Sequence, residues 1–317
     1  MRPPDARQPL KTPIPATLTL PLPTPRAPPG DFPPGTGVLR LVATPIGNLG
    51  DISMRALSIL AHSDVVACED TRVTRKLFAR YGLPLRRLVA HHGHNEAAGA
   101  AGLLACLARG ESVAYCSDAG TPGVSDPGYR LAVAARTAGF PVEAAPGPSA
   151  ALAGLLASGL PMATFTFLGF PPRRPGRLAK FFAAERTRRH TLVMFESPRR
   201  LGRLLVAALE ALGDRPAAVC LELSKKHERV RRGALSELAA SGVSERGEAT
   251  VVIAGAGPLR GNNPLKKPVL TPGTASASVE RVKNGLNKAV FNPVSPSPPC
   301  SRRQCSLFQR TGKDRQP

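Results

Sequence analysis

The sequence predicts an α/β protein made of two α/β domains. Three observations carry that expectation. Short apolar runs alternate with helical stretches from residue 38 onward, the pattern breaks near residue 160 and restarts, and composition changes at both ends of the chain. Strands that are apolar without interruption, separated by helices, indicate a parallel sheet covered on both faces.

Taken in order, residues 1–37 hold twelve prolines and few large apolar side chains. Such a segment cannot repay its ordering entropy and is expected to be disordered or polyproline-like. Apolar runs at 38–43, 65–68, 88–90, 113–116 and 142–144 read as strands, and 53–61, 71–81, 96–109 and 129–138 as the helices between them. Residues 150–160 give one more helix, and Gly159-Leu160-Pro161 closes the first domain, assigned to 38–159. A second set of strands is expected at 164–168, 191–195, 217–223 and 249–254, with helices at 177–184 and 199–212, making a second domain over 160–257. From 258 to 317 Lys, Asn, Ser and Pro dominate without sustained periodicity, which predicts a basic, largely disordered tail.

The chain carries a formal charge of +21 over 317 residues. The globular middle alone keeps 28 bases against 18 acids. That sign suits an anionic partner, and a polyphosphate backbone is the commonest one; a solvated, Arg-rich surface is the plainer account. Six cysteines show no CxxC or Cys/His ligand spacing, so neither a disulfide framework nor a metal is expected. No run of eighteen apolar residues points to a membrane span, and prolines interrupt the N-terminus where a secretory signal would need a continuous apolar stretch. A cytoplasmic location is the expectation.

Three Gly/Pro loops follow predicted strands: 44–49, 117–128 and 145–150. Glycine lets backbone amides approach a ligand, and proline fixes a loop without using a donor. Ligands of open parallel sheets bind at the carboxyl ends of strands. No G-x-G-x-x-G, Walker or G-x-S-x-G motif is present, which argues against dinucleotide hydride transfer, NTP hydrolysis and α/β-hydrolase chemistry. After Phe170-Pro171-Pro172 comes a basic run, Arg173, Arg174, Arg177, Lys180, Arg186, Arg188 and Arg189, with Glu185 the single acid among them. It reads as an RNA-backbone contact, against the plainer reading of a solvated helix face.

Six segments in register carry a resemblance. Val42–Ile52, Cys68-Glu69-Asp70-Thr71-Arg72, Ser117–Gly128, Pro146–Ala150, Phe195-Glu196-Ser197-Pro198-Arg199-Arg200 and Glu222-Leu223-Ser224-Lys225-Lys226 together resemble the tetrapyrrole-methylase superfamily. Within it they resemble the branch that methylates a cytidine ribose in small-subunit ribosomal RNA. The resemblance covers about residues 38–257 and implies two α/β domains of tetrapyrrole-methylase type with S-adenosylmethionine in the cleft between them, in a homodimer. It implies cofactor contacts from Pro45, Gly47, Asp118, Ala119, Gly120, Val124, Pro146, Gly147, Ser149 and Ala150, and from Met194, Phe195 and Glu196 of the second domain. Leu221 stands where the branch usually has Arg, and Pro268, Pro272 and Gly273 interrupt the helical module that usually ends it.

Methyl transfer to a ribose hydroxyl needs alignment and help in removing the proton. Glu69, Asp70 and Lys225 are the expected catalytic residues, although Asp70 could equally cap a helix and Lys225 bind a phosphate. Arg72 joins Arg173, Arg174, Arg177 and Lys180 as an expected RNA contact. The expected partner is small-subunit ribosomal RNA or the assembled subunit. The rival activities are methylation of a tetrapyrrole or a modified protein residue, and, from another class, RNA binding without catalysis.

Overall fold

In the first half, four-residue apolar strands alternate with helices whose ends are set by local chemistry. The computed structural model describes residues 22–25, 32–33, 35–93, 96–124, 128–242 and 247–257. The strands are β1 (Leu39–Val42), β2 (Val65–Cys68), β3 (Arg87–Ala90), β4 (Val113–Cys116) and β5 (Val142–Ala145); the helices are α1 (Met54–His62), α2 (Thr71–Tyr81), α3 (Glu96–Ala108) and α4 (Gly128–Thr137). The Ser53 hydroxyl accepts from Ala56 N at 3.1 Å to start α1. Asp70 starts α2, and Gly82, at a left-handed φ of 61°, ends it.

All pairings in this sheet are parallel, in the order β3-β2-β4-β1-β5. Residues on opposite faces of the strands feed two cores. One, under α1 and α2, takes Val42, Val66, Cys68, Ala114 and Cys116 with Leu57, Leu60 and Phe78. The other, under α3 and α4, takes Leu39, Val65, Ala67, Val113 and Tyr115 with Leu103, Leu107 and Leu131. Adjacent strands β1 and β4 send their helices α1 and α4 to opposite faces of the sheet, the kind of point at which parallel sheets bind ligands.

The second sheet has β6 (Phe165–Phe167), β7 (Thr191–Glu196), β8 (Pro216–Leu221), β9 (Arg229–Ala234) and β10 (Ala249–Ile253), in the order β6-β7-β10-β8-β9. Only β6 and β7 run parallel; β10 lies antiparallel between β7 and β8. One face is covered by α6 (Pro175–Ala184), α7 (Leu201–Leu212) and α8 (Leu235–Ala240), enclosing Leu178, Phe182, Leu204, Leu205, Leu235 and Met194. The other is covered by α5 (Ala150–Ser158), which continues directly from the first sheet and packs Ala151 and Leu155 on Val193 and Val252. Gly154 makes that approach possible: a Cβ there would sit 2.6 Å from Thr250 Cγ2. Both sheets lie in one compact unit.

Two elements escape the sequence reading. β9 carries three arginines on an edge strand, so it shows no apolar alternation, and α8 has only six residues. One expectation is corrected at residues 22–25. Leu22 packs against the core beneath α1 and α2, and the Ser58 hydroxyl donates to Pro23 O. This part of the proline-rich segment therefore contributes a side chain to the fold. The predicted tail at 258–317 lies outside the described residues.

Candidate cofactor cleft

The loops after β1, β4 and β5 are bound to one another through the backbone. Thr44 N donates to Gly120 O at 3.0 Å, Gly120 N returns a bond to Thr44 O at 3.1 Å, and the Thr44 hydroxyl reaches Ser117 O at 3.0 Å. The Thr121 hydroxyl donates to Pro148 O at 3.0 Å, joining the second loop to the third. Gly120 sits at φ 84°, a left-handed position where glycine avoids the strain of a side chain. Gly147 lies so close to Ala43 that a Cβ would be 2.9 Å from the alanine Cβ.

These loops and the second sheet enclose a cleft of about 460 Å³, lined among others by Ile46, Glu69, Gly120, Ser149, Phe195 and Thr250. That size falls in the small-molecule range. Seven of the expected cofactor residues line it or its rim: Ala119, Gly120, Val124, Ser149, Ala150, Phe195 and Glu196. Pro45, Gly47, Asp118, Pro146 and Gly147 belong to the same three loops but are not among the lining residues. Met194 requires a correction: its side chain is fully buried in the core beneath α6 and α7, on the opposite face of β7 from Phe195. Period-two alternation along a strand puts neighbours on opposite faces, so the two could not both turn a side chain to the cleft.

The aromatic wall is Phe195 with Phe170 and Phe167, at centroid distances of 5.5 and 4.9 Å. Phe170 is 60% exposed and lines the cleft, an aromatic surface open to a planar ligand. Among the described residues, the carboxylates lining the cleft are Glu69, Glu196 and Glu248, with no Lys or Arg. Glu196 is buried, and burial pushes its carboxyl up; the Ser197 amide bond and the charges of Arg200 and Arg173 oppose this. Arg200 Nη2 stands 3.1 Å from Glu196 Oε2 and donates to Pro171 O and Pro172 O at 3.3 Å each. One guanidinium thus ties a cleft carboxylate to the segment between Phe170 and the basic run.

Of the three expected catalytic residues only Glu69 lines the cleft. Its Oε1 accepts from Asp118 N at 3.0 Å, while Asp118 Oδ1 accepts from Asp70 N at 3.0 Å, a reciprocal brace between the ends of β2 and β4. Partial burial raises the Asp118 carboxyl. Asp70 lies outside the lining. Its carboxylate caps α2 through Arg72 N, pairs with the Arg72 guanidinium at 2.7 Å, and is held at about 2 by those bonds. The same pair occupies Arg72, whose side chain is otherwise exposed.

Lys225 is likewise committed. Burial alone would lower its ammonium, but bonds to Glu222 at 3.0 Å and Glu248 at 3.1 Å, with their charges, outweigh burial and raise it. The ammonium is thus held at two points by carboxylates. Its aliphatic stem lies against Gly47, and the Ser224 hydroxyl donates to Asp51 beside the first loop. Glu222 and Ser224 hold left-handed φ values of 49° and 67°, a strained turn that aims Lys225 at the first loop. Arg173, Arg174, Arg177 and Lys180 are all exposed, at the start of α6.

The sequence reading missed Gly247, Glu248, Ala249 and Thr250 in the lining. It followed the carboxyl ends of strands, and β10 runs antiparallel, so its amino end lies beside the carboxyl ends of β7 and β8. Gly247 was the available signal: a Cβ there would collide with the Glu222 side chain.

Residues 38–239 match the model of the tetrapyrrole (corrin/porphyrin) methylases, well over half of the chain. The chain belongs to the tetrapyrrole methylase family. The family match takes in the first sheet and the second as far as α8. The chain is 51% identical over 219 residues to "Ribosomal RNA small subunit methyltransferase I" of Mesorhizobium japonicum, covering 68% of this chain and 74% of that one. It is 48% identical over 228 residues to the protein of the same name from Mycobacterium tuberculosis, covering 70% and 79%. Among solved structures it resembles uroporphyrin-III-C-methyltransferase of Thermus thermophilus, at a TM-score of 0.50 and 27% identity over 69% of this chain and 94% of that one. The methyltransferase CobJ gives a TM-score of 0.53 at 19% identity, covering 71% and 96%, a likeness of fold.

Proposed function

We infer that this chain is an S-adenosylmethionine-dependent methyltransferase acting on a cytidine ribose 2′-hydroxyl in small-subunit ribosomal RNA. The observation that carries this is the 51% identity to a ribosomal RNA small-subunit methyltransferase I over a region as long as the two sheets that build the cleft. The cleft's chemistry suits the cofactor. The lining holds carboxylates and no Lys or Arg, with Glu196 and Glu248 paired to Arg200 and Lys225 outside it; Phe170 and Phe195 offer faces for a purine, and turn backbone from three loops can bond its polar atoms. When bound, S-adenosylmethionine supplies the electrophilic methyl.

The chain's own residues orient and exclude water. The Thr44–Gly120 bridge and the Thr121–Pro148 bond hold the loops, leaving little to reorganise on binding. Arg200 fixes Phe170's segment over the cleft. Glu69 is the carboxylate we assign to accept the ribose hydroxyl proton, since of the three expected catalytic residues it alone lines the cleft. The exposed run Arg173, Arg174, Arg177 and Lys180 binds RNA phosphates, and the paired Arg72 adds to it more weakly. The active form is a cytoplasmic homodimer. Leu152 and Leu156, 49% and 65% exposed one turn apart on α5, give an apolar face for a second copy to cover. No helix among the described residues is long and apolar enough to cross a membrane.

Transfer of tritiated methyl to naked small-subunit RNA, assembled small subunits and a uroporphyrinogen tests the assignment. Label in the RNA of either form, at a cytidine ribose, is the expected result. Label in the tetrapyrrole alone would reassign the substrate, and an absence of calorimetric heat with S-adenosylmethionine would make the protein a non-catalytic binder.

A further inference from the structure

Helix α2 combines two features that a solvated helix seldom shows together. Across Thr71–Tyr81 there is no acid, and Arg72, Arg75, Lys76 and Arg80 all fall on the exposed side, opposite buried Thr74, Leu77 and Phe78. Spacings of three and four residues place them on one face. Like charges at i,i+4, as in the pairs Arg72/Lys76 and Lys76/Arg80, oppose helix formation unless an anion relieves them. Three other bases of this half have acidic partners: Arg40 with Glu143 at 2.9 Å, Arg109 with Glu111 at 2.8 Å and Arg87 with Glu111 at 3.8 Å. Among the described residues Arg75, Lys76 and Arg80 have no ion-pair partner.

The helix is also aimed by the cleft. Its cap is Asp70, whose amide is fixed to Asp118, and the residue before the cap, Glu69, lines the cavity. The first turn of α2 therefore stands at the mouth on the side of the first sheet. On the side of the second sheet, Phe170 lines the cavity and α6 begins five residues later with its own exposed bases. Arg72 is held by Asp70, so the free charge on α2 begins one turn further from the mouth.

We propose that the outward face of α2, through Arg75, Lys76 and Arg80, is a second RNA-backbone surface, so that the RNA chain spans the cleft from α2 to the start of α6. The proposal rests on the RNA reading above. It places the reactive ribose between two phosphate clamps, each anchored on a different sheet. Positioning by the backbone on both sides orients the nucleoside without reading its sequence.

The test uses the full chain with Arg75→Gln, Lys76→Gln and Arg80→Gln combined, which removes charge and keeps helix-forming side chains. Binding of a decoding-region RNA fragment and of assembled small subunits is titrated from about 50 to about 200 mM salt, beside S-adenosylhomocysteine calorimetry and thermal melting. The slope of log affinity against log salt should shrink by about two to three units. Cofactor affinity and the melt should hold. Arg136→Gln, at the last turn of α4, serves as the charge control and should change the slope by less than one. Joining the triple variant to Arg173→Ala, Arg174→Ala and Arg177→Ala should reduce the slope additively.

An unaltered slope with RNA overturns the proposal. So does a loss confined to assembled subunits with naked RNA unaffected, which would make α2 a contact for an acidic protein surface. If the unmodified chain binds neither cofactor nor RNA, the functional reading itself fails, a result distinct from both.

Discussion

Replacing Gly120 by alanine tests whether the backbone bridge between the first two loops governs cofactor binding. Gly120 lies at φ 84°, where an L-residue costs about 1–2 kcal/mol. The new Cβ would stand 3.3 Å from Ile46 Cγ2 and 3.7 Å from Pro148 O, so a flexible methyl must give by a few tenths of an ångström while no backbone atom clashes. The protein should still fold. At roughly 2–4 °C per kcal/mol for a domain of this size, its melting temperature should fall by about 2–8 °C. Both Gly120 and Ile46 line the cleft, and Gly120 holds Thr44 through two bonds, so relaxing the strain displaces the lining. If most of that 1–2 kcal/mol is relieved in the empty protein and restored on binding, affinity drops about 5–30-fold.

Calorimetry with S-adenosylhomocysteine and a thermal melt measure both quantities. Gly139 is the control: it sits at φ 82°, a Cβ added there would meet nothing within 4 Å, and it lies outside the lining. Gly139→Ala should lower the melt by a similar amount and leave affinity unchanged. Undiminished affinity in Gly120→Ala, or an equal loss in Gly139→Ala, would refute the link between the bridge and the cofactor.

Arg200→Gln should raise the Glu196 carboxyl further, since burial already lifts it and the guanidinium opposes that. A raised acid binds protons in the folded state, so stability must fall as pH climbs above about 4.5, and more in the variant; melts between about pH 4 and pH 8 that run parallel would contradict this. Lys225→Met should destabilise across neutral pH. The native Glu222 is depressed and Lys225 raised, so their contribution is present between the carboxylate and ammonium ranges and fades as pH drops through the folded Glu222 value. A difference that persists undiminished in acid would show packing on Gly47, rather than charge, to be responsible. Residues 38–257 should fold and bind cofactor, yet melt about 2–4 °C below residues 22–257 because the Leu22 contact and the Ser58 bond, together about 1 kcal/mol, are lost. Equal melts would make that contact incidental.

Most of the fold was legible because its signals are local. Apolar runs such as Val65-Val66-Ala67-Cys68 are unbroken where a parallel strand is covered on both faces, and Ser53, Asp70 and Gly82 mark helix ends by their own chemistry. What could not be read arises from pairing across long separations. The arginines of β9 make sense only once β8 lies beside them, and Glu248 enters the cleft only because β10 runs against β7 and β8.

The same distinction explains the site. Ala119, Gly120, Ser149 and Ala150 follow strands, and lie where a strand-end rule puts them. Glu69, Asp70 and Lys225 were equivalent as candidates in the sequence, because each is an ionisable residue beside an expected loop. Their separation comes from partners two to forty-nine residues away. Asp70 has Arg72 two residues on, Lys225 has Glu248 twenty-three residues on, and Glu69 has the amide of Asp118 forty-nine residues on. Chemistry in this cleft is therefore assigned less by residue type than by where each side chain sits and what it is bonded to. Of the three, Glu69 alone lines the cleft, and that position is the ground on which it is proposed as the proton acceptor.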